Sequence, residues 1–247
     1  ETSLLSNVFF PEDDYGLGIH ANRTFLDLFT LAGAVYQPRQ QETTNFGDSG
    51  RADRLAEAVR LTFSPVHTDH RVYHLGAWLR HQALVERMAG VPVSPTLAFQ
   101  GFSGPPEAQA RNTASLVNTG PFGAKSYELA GIEAAVLKGP VTIQSEYLLA
   151  NVHRMYLAND PAVFEKCARF YAWYVQGGYV LTGESRGYDF NGGTFSRVTP
   201  TKEWGALEIA LRYSAVSLVH GKMNGGVEHN VSIGLNWFLN EQVRVAT

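Results

Sequence analysis

Apolar and polar positions alternate with a period of two along most of the chain. In one of the clearest segments, Leu207, Ile209 and Leu211 alternate with Glu208 and Arg212. Such alternation places successive side chains on opposite faces of a β-strand, whereas helix-type spacing is weak throughout. The pattern predicts about ten strands: Tyr15–His20, Phe25–Tyr36, Leu55–Ser64, Arg71–His81, Lys125–Leu137, Val141–Val152, Ala168–Thr182, Gly205–Ser217, Val227–Leu239 and a partial one from Val243.

The connections between these segments alternate in length. Short turns are predicted at Ala21–Thr24, Pro65–His70, Lys138–Pro140 and Asn240–Gln242, and longer polar loops at Gln37–Arg54, His81–Phe122, Asn151–Lys166 and His220–Glu228. The exception is Glu184–Trp204, which is long but falls on the short-turn side. Short turns on one side and long loops on the other are typical of a membrane β-barrel. A loop as long as His81–Phe122 is expected either to fold into the pore or to cap its mouth.

Alternation alone does not separate a soluble sheet from a membrane barrel, but three features favour the barrel. The polar faces are rich in Gly, Ser, Asn and Gln and poor in Lys, and the strands are longer than the five or six residues that are common in sandwiches. Aromatic residues also lie near strand ends, as interfacial girdles require. These residues are Tyr36, Tyr171, Trp173, Tyr213, Trp237 and Phe238. We therefore predict an all-β fold, an antiparallel transmembrane β-barrel, with a soluble β-barrel or sandwich as the alternative.

Composition narrows the function classes. The 247 residues carry a formal net charge of −3, with no basic domain of the kind that binds nucleic acid. The single cysteine, Cys167, excludes an intramolecular disulfide. No run of eighteen apolar residues is present, so the sequence predicts no transmembrane helix. Because the sequence shows no signal peptide and does not begin with Met, we expect it to start inside a longer precursor.

Four strings in the C-terminal half resemble the phosphate-selective porin family of outer-membrane proteins. They run from Trp173 to Tyr188, from Gly193 to Pro200, from Gly205 to Ser214 and from Ser232 to Asn240. The resemblance implies a sixteen-stranded barrel, usually a homotrimer, whose aqueous pore is constricted by an inward-folded loop. About ten of those strands are visible here, so residues 1–247 are expected to form a partial porin domain that is incomplete at both ends. The family's phosphate selectivity rests largely on basic residues in a part that we do not find in this chain, so only the porin function is carried over.

The polar phase of the strands supplies the candidate pore lining: Arg60, His74, Arg80, Glu133, Gln144, Glu146, Gln176, Glu208, Arg212, Asn230 and Asn236. Charged rings on a lumen wall ordinarily tune ion passage. Two interpretations of Arg60, Arg80 and Arg212 stay open: they form an electrostatic track for solutes, or each pairs with a wall carboxylate.

Three motifs with other chemical meanings are set aside. Gly183–Gly187 matches the G-x-S-x-G elbow around Ser185, but a turn-forming string follows it where a hydrolase needs a helix. His70 and His74 lie about 13 Å apart along one strand, too far to share one metal ion, and His67 meets His70 only across a turn. Glu133 and Glu146 form a carboxylate pair, but both have the lumen phase. We expect no catalytic residue, no metal and no cofactor.

The sequence thus predicts an outer-membrane porin, a water-filled channel for passive diffusion of small hydrophilic or anionic solutes, with phosphate among the candidates. The expected partners are outer-membrane lipid, two further copies of the chain in a homotrimer and the solutes themselves, without nucleic acid. The alternative is a soluble lipocalin-like barrel that binds an apolar ligand. The two differ in the direction of Trp173, Trp237 and Leu211, which face lipid in a porin and the ligand in a binding protein. A serine hydrolase that uses Ser185 is the third possibility.

Overall fold

The computed structural model describes residues 3–10, 17–37, 55–83, 101–107, 114–120, 122–154 and 166–246. Within these residues, one antiparallel sheet of ten strands forms a wall. Its strands are β1 (Leu17–Phe25), β2 (Phe29–Gln37), β3 (Ala56–Thr68), β4 (Arg71–Ala83), β7 (Ala124–Lys138), β8 (Val141–Arg154), β9 (Cys167–Val180), β12 (Ala206–His220), β13 (Met223–Phe238) and β14 (Arg244–Ala246). Five smaller elements lie off the wall: α1 (Leu4–Phe9), β5 (Ser103–Gly104), β6 (Val117–Asn118), β10 (Arg186–Asp189) and β11 (Thr194–Val198).

The wall strands follow one another in the order of the chain, β1-β2-β3-β4-β7-β8-β9-β12-β13-β14. Every neighbouring pair is antiparallel. This confirms the ten strands and the meander that the sequence predicts. β1 and β14 stand at the two ends of the order and do not pair with each other in the described part of the chain. That the porin domain is incomplete at both ends stays a prediction.

Three connections differ from their predictions. The turn predicted at Ala21–Thr24 is wrong: β1 continues to Phe25, and the chain reverses at Leu26 and Asp27, which take φ angles of 57° and 48°. Asp tolerates this left-handed backbone, but Leu26 rarely adopts it, so residue type gave only a weak signal for the turn. The turn predicted at Pro65–His70 is shorter, because β3 passes Pro65 by a bulge and ends at Thr68. A bulge tolerates proline since the ladder is already interrupted there.

The predicted loop His220–Glu228 is also wrong. β12 and β13 pair as far as His220 and Met223, so only Gly221 and Lys222 form the turn. Gly221 supplies the positive φ, 54°, that a tight hairpin turn needs. The predicted loop Gln37–Arg54, most of Asn151–Lys166 and much of His81–Phe122 lie outside the described residues.

The two faces of the wall differ sharply in chemistry. On one strand, Ala130, Ile132, Ala134 and Val136 occupy the face that bears no packed element, between the polar ends Glu128 and Lys138. The polar ends Glu128 and Lys138 are about 33 Å apart along the strand, or about 25 Å in height at the usual tilt of a membrane strand, which leaves room between them for the apolar band of an outer-membrane barrel. The same face of other strands shows large exposed apolar residues, including Leu211, Ile209, Leu75, Val231 and Ile233. This is the outer face.

Four of the six predicted girdle residues have the outward phase, but Trp173 and Tyr213 lie near the middle of β9 and β12, so the girdle itself stays a prediction. Tyr171, Tyr213 and Trp237 are exposed on the outer face, and Trp173 packs beside Tyr213 with ring centroids 5.2 Å apart. The prediction is wrong for Tyr36 and Phe238, which do not lie on the outer face. Tyr36 faces inward, under the Arg80 guanidinium at 5.5 Å, and Phe238 is buried with Val180, Val198 and Ala206. Their places near strand ends suggested a girdle, but strand parity sets them on the inner face.

The opposite, inner face is covered by two inserts. The first consists of α1 with β5 and β6. Its apolar side chains pack against inward residues of β7, β8, β9 and β12, and the cluster includes Phe9, Phe102, Leu129, Leu148, Phe170 and Leu218. Ser3 caps α1 by accepting a hydrogen bond from the backbone N–H of Ser6 at 3.3 Å. The long predicted loop therefore folds inward, at least in its described parts 101–107 and 114–120.

The second insert is the β10–β11 hairpin, which occupies the long connection Glu184–Trp204. It does not extend away from the wall but lies across the inner faces of β1 to β4. Its contacts there are polar, in contrast to those of the first insert. The described residues include no helix long and apolar enough to cross a membrane.

Candidate channel lining

The predicted pore-lining residues all lie on the inner face. Cross-strand pairs join many of them directly: Glu133 with Glu146, Gln144 with Gln176, Gln176 with Arg212, and Glu208 with Asn236. Alternation brings them to one face, and the antiparallel register brings them side by side. Their degree of exposure differs widely, because the two inserts cover some of them and leave others open.

Arg60 is the centre of the contacts between the wall and the β10–β11 hairpin. Its Nε donates to Glu133 Oε1 at 2.7 Å, and its two terminal nitrogens donate to the carbonyl oxygens of Gly192 and Gly193, both at 2.8 Å. A planar guanidinium suits this fork of three acceptors. Arg60 thus pairs with a wall carboxylate, as one of the two interpretations required, and in addition holds the tip of the hairpin.

His74 lies buried beside this centre. Its Nδ1 is 2.7 Å from the Tyr188 hydroxyl, and its Nε2 is 3.3 Å from Glu133 Oε1. The same Tyr188 hydroxyl lies 2.6 Å from Ser64 Oγ. Further along the hairpin, Thr30 Oγ1 donates to the carbonyl of Phe190 at 2.9 Å. The hairpin is therefore fastened to the wall at several points, most of them through its backbone carbonyl groups or one tyrosine.

We expect Arg60→Met to weaken this attachment and to make the channel current noisier and larger. The substitution removes three hydrogen bonds from a charged group, and the expected loss of stability is about 2–3 kcal/mol. Single-channel recording and urea unfolding in detergent micelles measure the two effects. The control is Arg23→Met on exposed β1, for which no change is expected. A quiet, unchanged current from the Arg60 variant would contradict the role of Arg60 as the hairpin's anchor.

The other two predicted arginines have different surroundings. Arg80 is 3% exposed, donates to Gln82 Oε1 at 2.7 Å, and has its guanidinium within 6 Å of the rings of Phe10, Tyr36 and Tyr127. Arg80 thus has aromatic partners on the inner face, and cation–π contacts of this kind stabilise a buried guanidinium. Arg212 donates through Nε to Gln176 Oε1 at 2.9 Å.

A polar cavity of about 240 Å³ lies on the inner face of β8, β9, β12 and β13. Its lining includes five of the predicted pore-lining residues: Gln144, Gln176, Glu208, Arg212 and Asn236. Arg186, Ser232 and Arg244 line it as well. Gln176 donates its amide to Gln144, which orders the two side chains across neighbouring strands. Neutral amides, a hydroxyl and arginines thus share one surface, which is suited to hydrated polar solutes.

Glu208 forms the floor of this cavity and is fully buried. Arg186, at the base of the hairpin, donates to both of its oxygens at 2.6 and 2.7 Å, and Asn236 donates to it at 2.9 Å. Glu146 accepts a hydrogen bond from Trp78 Nε1 at 2.9 Å, and Glu228 accepts one from Asn230 at 2.7 Å. Each of these three described carboxylates therefore has at least one donor of its own.

Glu184 stabilises the turn that leads into the hairpin. It accepts hydrogen bonds from Thr182 Oγ1, from Thr201 Oγ1 at 2.9 Å and from the backbone N–H of Thr201 at 3.2 Å. Burial opposes ionisation of this carboxyl, but the hydrogen bonds outweigh it and lower the pKa of Glu184.

A lowered pKa in the folded protein has a consequence for acid stability. Glu184 stabilises the fold above the ordinary glutamate pKa, and this stabilisation is lost as the pH falls below that value through the lowered pKa. We expect Glu184→Gln to flatten the acid side of the stability profile below about pH 4.5, the ordinary glutamate value. Unfolding midpoints measured from pH 3 to pH 7 test this, with Glu203→Gln at an exposed turn as the control. Parallel profiles for wild type and Glu184→Gln would contradict the expectation.

The possible hydrolase elbow and the histidine cluster form neither a catalytic site nor a metal site in the described residues. Ser185 is followed by strand β10 instead of a helix, so the hydrolase elbow does not form, although its Oγ lies 3.0 Å from His70 Nδ1. His67 contacts the Ser64 carbonyl at 2.9 Å and stacks on Phe190. Among the described residues, no group of three or more His, Cys, Asp or Glu could hold a metal ion.

Four residues of this lining were missed by the sequence analysis. Trp78 has the inward phase of β4 and could have been included on parity alone. Arg186 and Tyr188 belong to a connection whose inward fold has no signal in the alternation pattern. Glu107 comes from the long loop and reaches Ser214 and Ser232 on the wall at 2.6 and 2.8 Å.

A long-stranded antiparallel wall with an apolar outer face and polar residues on its inner face is typical of β-barrels of the porin class. The family model described as "Phosphate-selective porin O and P" matches residues 11–247. The chain belongs to this family. It is 29% identical to Porin O of Pseudomonas aeruginosa over 249 residues, which cover 94% of this chain and 54% of that protein. The chain thus spans about half the length of this curated relative.

Family membership confirms the fold class, a transmembrane β-barrel, and the location in the bacterial outer membrane. The soluble lipocalin-like alternative finds no support. It requires the apolar faces to point inward, whereas Leu211 and Trp237 are exposed on the outer face. The polar partners Glu208 and Arg212 lie on the inner face instead.

Proposed function

We propose that this chain forms part of the wall and lining of a diffusion channel for small hydrophilic or anionic solutes, including phosphate. The observation that carries the proposal is the reversal of chemistry across the wall. Leu211 is 53% exposed on the outer face, while its neighbour Arg212 is hydrogen-bonded on the inner face beside the polar cavity. A surface that is apolar outside and polar inside is stable in lipid only if the inner side holds water.

The inner charges favour a channel of modest selectivity. Arg60 pairs with Glu133, Arg186 with Glu208, and Arg212 with Glu107, so opposite charges lie close together along the lining. Such pairing prevents a strong field of one sign. The eleven inner residues named from the sequence remain the proposed pore lining.

The proposal extends to the assembly. We propose that residues 1–247 contribute one part of a larger porin domain, and that three copies of the complete protein associate as a homotrimer in outer-membrane lipid. The support is family membership together with a wall whose end strands β1 and β14 are not paired with each other in the described residues. Mass measurement of the detergent-purified protein tests the trimer.

A cysteine-accessibility experiment tests the channel directly. In a Cys167→Ser background, Gln144→Cys and its neighbour Ile143→Cys place thiols on opposite faces of β8. A membrane-impermeant, charged thiol reagent is expected to lower the current through the Gln144→Cys protein in a planar bilayer and to leave Ile143→Cys unaffected. Absence of any conductance from the complete protein, or block of the Ile143→Cys variant alone, would refute the proposed function.

A further inference from the structure

Glu107 connects the first insert to the wall through one buried carboxylate, whose side chain is 4% exposed. It accepts hydrogen bonds from the backbone N–H of Leu4 at 2.9 Å, from Ser214 Oγ at 2.6 Å and from Ser232 Oγ at 2.8 Å. These donors belong to α1, β12 and β13. A single side chain therefore fixes the position of both the helix and its own loop relative to two wall strands.

The same carboxylate lies next to a positive charge at the solute cavity. Glu107 Oε2 is 3.6 Å from Arg212 Nη1, and both Arg212 and Ser232 line the cavity. Of the other two arginines of the lining, Arg186 is matched by Glu208 at 2.6 Å, and Arg244 is exposed on β14. Because this interior is less polar than bulk water, a carboxylate at such a distance offsets the arginine's field much more effectively than it would in solution.

We propose that Glu107 is a specificity-determining residue of the channel. It offsets the charge of Arg212 at the cavity and thereby lowers the preference of the lining for anions. The inference rests on the proposed channel function and adds to it an acidic residue that partly neutralises the positive charge of the lining. It assigns to the inward loop an electrostatic role as well as a space-filling one.

The experiment measures the reversal potential of the complete protein in a planar bilayer under a KCl gradient. Glu107→Gln keeps the size of the side chain and an acceptor oxygen but removes the charge. The anion-to-cation permeability ratio is expected to rise about two- to threefold, since a change of about half a kT in the local potential favours anions and disfavours cations at the same time. The matched control, Glu203→Gln, removes a charge from an exposed turn and is expected to leave the ratio unchanged.

A double-variant comparison separates the electrostatic role from a purely structural one. If Glu107 acts by offsetting Arg212, the double variant Glu107→Gln/Arg212→Gln returns the ratio close to that of wild type, because the pair is then again without net charge; a double variant that keeps the raised ratio of Glu107→Gln overturns the proposal. Should Glu107→Gln fail to insert, Arg212→Gln alone still decides. A fall in anion preference supports the inference, and an unchanged ratio overturns it. A wild-type protein without conductance would instead refute the proposed function.

Discussion

Arg186→Met is expected to destabilise the protein by about 3–5 kcal/mol, because it leaves the buried Glu208 carboxylate without its cationic partner. Glu208 is fully buried and receives three hydrogen bonds from the Arg186 guanidinium, at 2.6, 2.7 and 3.0 Å. After the substitution, only the Asn236 amide remains as a described donor to it. Guanidinium unfolding in detergent micelles, followed by tryptophan fluorescence, measures the loss.

A second substitution identifies the cause of this loss. Glu208→Gln in the Arg186→Met background removes the unpaired charge and is expected to restore more than half of the lost stability. Arg197→Met, on exposed β11 of the same hairpin, serves as the control for loss of an arginine and is expected to have little effect. If the double variant were as unstable as the single one, the damage would lie in packing of the hairpin and not in the buried charge.

Ile233→Arg is expected to cost about 2–4 kcal/mol, the range for a cation placed on the lipid face near the middle of the membrane. Ile233 is 75% exposed on the outer face and lies midway between His229 and Trp237 on β13. The apolar surface around it is stable because it meets lipid, so a charge there has no water to solvate it. Unfolding free energy measured in lipid vesicles gives the cost.

Asn230→Arg is the matched control on the same strand. Asn230 points inward and donates to Glu228, so an arginine in its place has both a carboxylate partner and the lumen. The variant is expected to insert normally and to change conductance. Were Asn230→Arg the more damaging of the two, the inner and outer faces would be reversed, and the porin interpretation would be wrong with them.

The wall could be predicted from sequence because it depends on a local rule. In a strand, the direction of a side chain follows from parity, so Glu208, Arg212 and Asn236 could be placed on one face without knowledge of the fold. The register that brings Glu133 beside Glu146 follows from the short turn Gly139–Pro140. The prediction failed where parity was ignored, as at Tyr36 and Phe238, which were judged by residue type alone.

The interior of the barrel could not be predicted in the same way. Alternation says which residues point inward but not what meets them there. Helix α1 is six residues long, too short for a helical period to show, and Glu107 sits in a proline-containing loop without regular spacing. The hairpin around Tyr188 was recognised only as a connection of unexpected length. Its direction is set by contacts with Arg60 and Ser64, which lie more than a hundred residues away in the chain.

Those distant contacts have a consequence for the order of folding. The hydrogen bonds of the hairpin with the wall close chain separations of 160 residues at Thr30 and 169 at Asn22, and Glu107 reaches across 125 residues to Ser232. Wall strands pair with their neighbours along the chain, in several cases across turns of two or three residues, and such closures cost less entropy and proceed faster. We therefore expect the wall strands to pair first during insertion and the two inserts to dock into the lumen afterwards.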